Sequence, residues 1–273
     1  RRAPEAVAGF DESFSPSKSV SVLWALADPQ VAALVERCHL AAVRDALDYQ
    51  EEKAFLTREG TDGVRQVDAR GMVAVSFTHR DSRAGDPDLH THVAIANKAQ
   101  TVEGRWHTAD SRTIFKSHVS ISETYDTFLR AHLTATLGVR WVPKASRNGK
   151  RPVWEIDGID PNLCRAWSSR RTDIEQLSTE LAAKFRVDHG RPPTALEMIH
   201  LAQQANLATR QAKHEPRTLA DQRTAWRHQA DAILGQHGVE RMLHTALTPT
   251  PQRLPDLTSD WFDQKAARVL SEL

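Results

Sequence analysis

Three histidines around one short polar loop are the residues of this chain best placed to do chemistry. His79 ends one apolar run, and His90 and His92 open the next. Met72-Val-Ala-Val-Ser-Phe-Thr-His79 and Leu89-His-Thr-His-Val-Ala-Ile-Ala-Asn97 both read as strands, and the linker between them is polar and holds Gly85 and Pro87. Side chains alternate along a strand, so His90 and His92 face the same way. If the two strands pair as a hairpin, His79 stands opposite them. Three imidazoles converging on one point with coordination positions left open are the layout of a catalytic metal site rather than a closed structural one. Against this, thirteen histidines make a chance His-x-His easy to find. The others, at 39, 107, 118, 132, 189, 200, 214, 228, 237 and 244, are scattered and read as surface or interface residues.

The surrounding elements must hold that loop still. Val20 to Leu26 alternates as a strand would. Asp28-Pro29 then opens a helix running to about Arg58, with Val31, Leu34, Val35, Cys38, Ala42, Ala46 and Tyr49 repeating every three or four residues. On that stripe Tyr49 reads as a packing residue. Residues 54–57, 64–67, 71–79, 89–98 and 101–107 read as consecutive strands whose short turns favour antiparallel pairing. Ser120 to Leu137 is a helix with Gly138 as its stop, and residues 139–142 and 152–156 form a hairpin. Beyond about residue 160 the pattern is helical. Ser168, the capping box Thr194-Ala-Leu-Glu197, and Thr218 each open a helix, and prolines 249, 251 and 255 precede a last short one. The expected fold is α+β: a central antiparallel sheet flanked by helices, with an all-helical C-terminal extension, divided as 1–160 and 161–273.

Two segments together resemble the conjugative relaxases. Phe77-Thr-His-Arg-Asp-Ser-Arg-Ala-Gly-Asp-Pro-Asp-Leu-His-Thr-His92, followed by Asn97, is similar to their metal motif. Gly9-Phe-Asp-Glu-Ser-Phe-Ser-Pro-Ser-Lys-Ser-Val-Ser-Val-Leu-Trp24 is similar to the strand beside their active site. The subgroup resembled is the plasmid mobilisation type with a helicase downstream, within the HUH endonucleases. The likeness implies a palm-like core, one divalent ion (Mg, Mn or Zn) on His79, His90 and His92, and nicking and strand transfer at an origin of transfer through a 5′-phosphotyrosine. It also implies single-stranded DNA, relaxosome accessory proteins and a type IV secretion coupling protein as partners, and a bacterial cytoplasmic setting. In the family the nucleophilic tyrosine lies upstream of the Gly-Phe-Asp segment. Here the tyrosines are Tyr49 and Tyr125, so the expectation is a fragment without the nucleophile, inert by itself.

The chemistry follows from residue types. An ordinary tyrosine pKa of about 10 leaves roughly one hydroxyl in a thousand ionised at neutral pH. Asp11, which the resemblance sets beside the tyrosine, is the candidate to take its proton or orient it. An ion on neutral imidazoles keeps its full charge for a phosphate. Asp81, Asp86 and Asp88 are turn residues or partners that fix a histidine tautomer. Net charge +1 and pI 8.1 do not announce a nucleic-acid binder, but Arg140, Lys144, Arg147, Lys150 and Arg151 form a local basic cluster flanked by Trp141 and Trp154. Lys144, Arg147 and Lys150, with Lys18, Arg80 and Arg83 nearer the histidines, are the candidate DNA contacts. Two cysteines give no disulfide framework, and no apolar run is long enough to span a membrane. Three alternatives remain open on the sequence: a rolling-circle replication initiator or transposase, a metallohydrolase with a bridging carboxylate, and a non-catalytic DNA-binding module.

Overall fold

The computed structural model describes residues 6–144, 152–210, 215 and 217–248. It is an α+β protein whose strand pairings are all antiparallel among these residues. The sheet that carries the histidines joins β1 (Gly9–Phe14), β5 (Pro87–Ala96) and β4 (Ala74–Asp81), in that order. A second sheet has the order β2 (Leu56–Glu59), β3 (Arg65–Arg70), β6 (Ala99–Thr101), β7 (Trp106–His107). The expected strand at 101–107 is thus two short strands around a turn, where Gly104 takes φ +86°, a left-handed conformation that costs glycine little.

Strand alternation sorts β5 cleanly. Leu89, Thr91, Val93 and Ile95 are buried, and His90, His92 and Ala94 point to the other face. The buried side meets α1 (Lys18–Leu26) and α2 (Pro29–Lys53). Asp28 caps α2 by accepting from the Gln30 and Val31 amides at 2.8 and 3.0 Å, with Pro29 in the first turn. α3 (Ser111–Leu137) packs on α2 and ends at Gly138 in the left-handed region. At Gly9 any side chain is excluded, because a Cβ would lie 2.4 Å from the Ile95 carbonyl oxygen across the β1–β5 ladder.

Residues 20–26 are a helix, not the strand expected from their alternation. α1 is buried from Ser19 to Leu26 because α2, β5, β9 (Val153–Ile156), α4 (Pro161–Ala166), α7 (Leu219–Leu234) and α8 (Gly238–Leu247) surround it. A helix covered on every side shows no polar face, so its period is invisible in the sequence. α2 stops at Lys53 rather than near Arg58, and its buried stripe runs through His39, Val43 and Gln50. Tyr49 is 36% exposed, off that stripe.

β8 (Trp141–Lys144) pairs with β9 as expected. The helical part continues with α5 (Ser169–His189) and α6 (Ala195–Ala208), whose capping box at Thr194 and Glu197 is formed. Trp226 of α7 lies 5.7 Å from Trp24 of α1, ring centre to ring centre, and both are buried in the same core. The proline-marked segment after residue 248 and its expected last helix lie outside the described residues.

Candidate metal centre

β4 and β5 pair in the register that sets His79 against His90 and Phe77 against His92. All three histidines therefore project from one face of the sheet. Their ring centres stand 5.2 Å apart for His79 and His90, and 5.3 Å apart for the other two pairs. An imidazole nitrogen lies ~2.0–2.1 Å from an ion it ligates, so its ring centre is about 3.2 Å away and three rings at tetrahedral angles are about 5.2 Å apart. The spacing is thus that of rings radiating from one point. As the side chains stand, no three His, Cys, Asp or Glu among the described residues already form a ligand set. The ring spacing brings the three imidazoles close enough to be candidates for a shared ion, and the terminal histidine torsion is a broad well.

Hydrogen bonds fix which nitrogen is free. His90 Nδ1 lies 2.7 Å from the Asp88 carbonyl oxygen, which only accepts, so Nδ1 carries the proton. His92 Nδ1 lies 3.0 and 3.2 Å from the two carboxylate oxygens of Asp11. Both Nε2 atoms are left as donors toward an ion, the arrangement by which outer carboxylates and carbonyls orient metal-binding histidines. Asp11 reaches His92 because β1 and β5 pair, with Ser13 opposite His92. Of the loop aspartates, Asp88 lies 3.6 Å from His90 Nδ1, while Asp81 and Asp86 bind elsewhere.

A buried chain of polar groups lies under the site. Thr91, between His90 and His92, points to the opposite face. Its hydroxyl is 2.8 Å from His39 Nε2 and 3.1 Å from the Thr78 hydroxyl. His39 Nδ1 is 2.7 Å from the Tyr125 hydroxyl. His39 is fully buried, and desolvation first, then the charge of His90, pushes its pKa down to about 4. The scatter of the histidines predicts a surface or interface residue at 39; the structure puts it in the core. Its position four residues after Val35 and three before Ala42 puts it on the inner stripe of α2, a signal the sequence does contain. Burial also raises the Tyr125 phenol well above its ordinary value.

The cationic candidates divide. The Lys18 ammonium is 2.9 Å from the Pro87 carbonyl and 3.1 Å from Asp88, so it braces the His90 loop. Arg80 is exposed next to His79, and Arg83 is half-buried in the loop. Lys144 is exposed at the end of β8; Arg147 and Lys150 lie outside the described residues. Arg140 is drawn out of the basic cluster by Asp157, at 3.0 Å. Trp141 donates to the Thr134 hydroxyl, and the Arg130 guanidinium sits 5.1 Å over the Trp154 ring.

Residues 1–233 match the family model for the TrwC relaxase. The chain belongs to the TrwC relaxase family. It is 30% identical to the multifunctional conjugation protein TraI of Escherichia coli over 270 residues, which is 92% of this chain and 15% of that protein. TraI of E. coli K12 is 30% identical over 185 residues, 64% of this chain and 10% of that protein. This relaxase chain therefore spans a small part of those relatives. Among solved structures, it is similar to the conjugative relaxase TrwC in complex with oriT DNA. Metal-free and metal-bound structures both superpose with a TM-score of 0.66 at 25% identity, covering 83% of this chain and 73% and 72% of TrwC. A complex of TrwC with a 27-mer comprising the recognition hairpin and the cleavage site gives 0.65 at 26% identity, covering 82% and 74%.

Proposed function

We propose that this chain nicks one strand of DNA at a plasmid origin of transfer and passes the cut end to a tyrosine hydroxyl, initiating conjugative transfer. The observation that carries the reading is the convergence of His79, His90 and His92, with Asp11 and the Asp88 carbonyl fixing two of their tautomers. His79, His90 and His92 would hold one divalent ion (Mg, Mn or Zn). When bound, it polarises the scissile phosphate and neutralises developing charge, worth several kcal/mol. The chain's own groups do the rest. Asp11 keeps the His92 Nδ1 proton in place, so Nε2 stays a lone-pair donor. Lys18 and Asp88 hold the His90 strand end. Arg80, Arg83, Lys144, Arg147 and Lys150 supply positive charge for the DNA backbone, which positions a strand without reading it.

In the transfer a tyrosine hydroxyl gives up its proton and its oxygen forms a bond to phosphorus as the bond to the 3′-oxygen breaks. The 5′-phosphate stays on the protein, and the leaving oxygen takes up a proton. Neither tyrosine here suits the attack: Tyr125 is buried with its hydroxyl on His39, and Tyr49 lies on α2. The family resemblance supplies the hydroxyl from upstream of Gly9, and residues 1–160 and 161–273 act as the core and helical extension of one relaxase domain. The partners of this reading are single-stranded DNA, relaxosome accessory proteins and a secretion coupling protein, in a bacterial cytoplasm. No helix among the described residues is long and apolar enough to cross a membrane.

The test is a denaturing gel of the protein in its native length with end-labelled single-stranded oligonucleotide spanning an origin of transfer. A covalent protein–DNA adduct is expected, and cleavage that leaves only free ends would overturn strand transfer. Present by itself, residues 1–273 should bind the strand and form no adduct; an adduct through Tyr49 or Tyr125 contradicts this.

Asp11 provides a second test. Removing an outer partner of a ligating histidine costs ~10–100-fold in metal affinity. Asp11→Ala should weaken Mn2+ binding by about that factor in calorimetry, and Asp11→Asn, which still accepts a hydrogen bond, by less. Equal affinity in wild type and Asp11→Ala would remove Asp11 from the metal site.

A further inference from the structure

We infer that α5 and α7 of the helical part are a clamp on the turn that joins His79 to His90, so residues far along the chain position the two histidines. This deepens, and in its metal arm rests on, the reading of His79, His90 and His92 as ligands.

The turn is short and closed on itself. The Gly85 amide donates to the Ser82 carbonyl and the Ser82 amide to the Asp86 carbonyl, both at 2.9 Å. A bulge shifts the register between His79, which faces His90, and Asp81, which faces Pro87. Bulges re-aim neighbouring side chains and weaken the local ladder. A bulge beside two converging histidines therefore needs support from outside the hairpin.

The support comes from the helices. Gln222 of α7, 6% exposed, donates from Nε2 to Asp81 Oδ2 at 2.7 Å. Trp226, one turn on and 1% exposed, donates from Nε1 to the Gly85 carbonyl at 2.8 Å. Asp86 accepts from the Ser169 amide at 3.1 Å and from the Ser169 hydroxyl, so its carboxylate sits at the N-terminus of α5, where negative charge is favoured. Gly85 adopts φ +82°, and a Cβ there would come within 2.8 Å of an Arg217 guanidinium nitrogen. The turn is thus held at three points by groups over eighty residues away in sequence, two of them buried. The anchoring side is rigid, because the Trp226 ring packs against Trp24 in the core. Buried donors aimed at a loop carbonyl and carboxylate fix its position, since breaking them leaves polar groups without partners.

The decisive variant is Gln222→Met with Trp226→Phe, which keeps an apolar side chain against the core at both positions and removes both donors; the control makes the same tryptophan-to-phenylalanine size change. Trp167→Phe is the control: it removes an indole donor to Gln229 of α7, at 2.9 Å, and none of the three hydrogen-bonding anchors of the turn. The first readout is amide hydrogen exchange of metal-free protein. The Ser82 and Gly85 amides should exchange about tenfold faster in the double variant and at the wild-type rate in the control. The second is Co2+ titration followed by its absorption, with affinity about tenfold weaker in the double variant alone. If the double variant does not fold, Gln222→Met is measured in the same way, with a smaller change of the same sign. Unchanged exchange at Ser82 and Gly85, or equal acceleration in Trp167→Phe, overturns the clamp whatever the metal result. If exchange rises while wild type binds no Co2+, or binds it equally in His90→Ala, the metal reading fails and the clamp stands.

Discussion

Replacing His90 or His92 by alanine should remove stoichiometric metal and stop DNA nicking, with the fold retained. Both side chains lie on the open face of β5, so their loss leaves the packing of Leu89, Thr91 and Val93 intact. A two-histidine remnant is a poor site, because a catalytic centre of this kind needs three protein ligands. Charge stabilisation by the ion is worth several kcal/mol, and about 1.4 kcal/mol is tenfold in rate, so nicking should fall by roughly 10²- to 10³-fold. Elemental analysis of dialysed protein gives the metal content, and gels of the native-length protein with labelled oligonucleotide give the rate. Full metal content in both variants would sink the assignment of these ligands.

Acid should destabilise the protein through His39, and this effect should vanish in His39→Gln. His39 is neutral when buried, with its pKa pushed down to about 4, against about 6.5 in an unfolded chain. The unfolded state therefore binds the extra proton first as pH falls. The contribution is fully present above about 6.5 and is lost as pH falls toward the folded value; it amounts to roughly 3 kcal/mol between about pH 7.5 and pH 4. Glu12, raised first by desolvation, and Asp126, raised to about 6 chiefly by desolvation, act in the opposite direction, so only the difference between wild type and variant isolates His39. Chemical denaturation at the two pH values measures it. A variant with the same pH dependence as wild type would show that folding does not lower the His39 pKa. Glutamine also loses part of the Tyr125–His39–Thr91 chain, which costs about 1–3 kcal/mol at all pH values for each group left unsatisfied.

The candidate site was legible in sequence where alternation is strict. Leu89 to Ala96 reads as one strand, whose side chains alternate faces, so the common face of His90 and His92 could be read directly, and a short polar linker implied the antiparallel partner that brings His79 opposite. Asp11 was legible as a site residue only through the family resemblance; its contact with His92 depends on the β1–β5 register, which nothing local specifies. The misreading of α1 as a strand has a physical cause. Val20–Leu26 is buried on all sides and so lacks a polar face. The helix that carries His39 is legible, and the spacing from Val35 and Ala42 sets that histidine on the inner stripe; what the sequence does not show is its partners across the core, Thr91 and Tyr125. Lys18 reads in the sequence as a candidate DNA contact, and its partners within the fold are not visible there. The structure gives it Asp88 and the Pro87 carbonyl, partners that lie about seventy residues on. The same holds for Gln222 and Trp226, which carry no mark in the sequence of the turn they hold.

The central claim is that His79, His90 and His92 hold one ion between them. Crystals of the protein soaked in Mn2+ and measured at the manganese absorption edge test it most directly. The account predicts one strong anomalous peak per chain, about 2.0–2.3 Å from Nε2 of all three histidines, with Asp11 still on His92 Nδ1. A peak placed elsewhere, or one that engages fewer than three of these imidazoles, would contradict it.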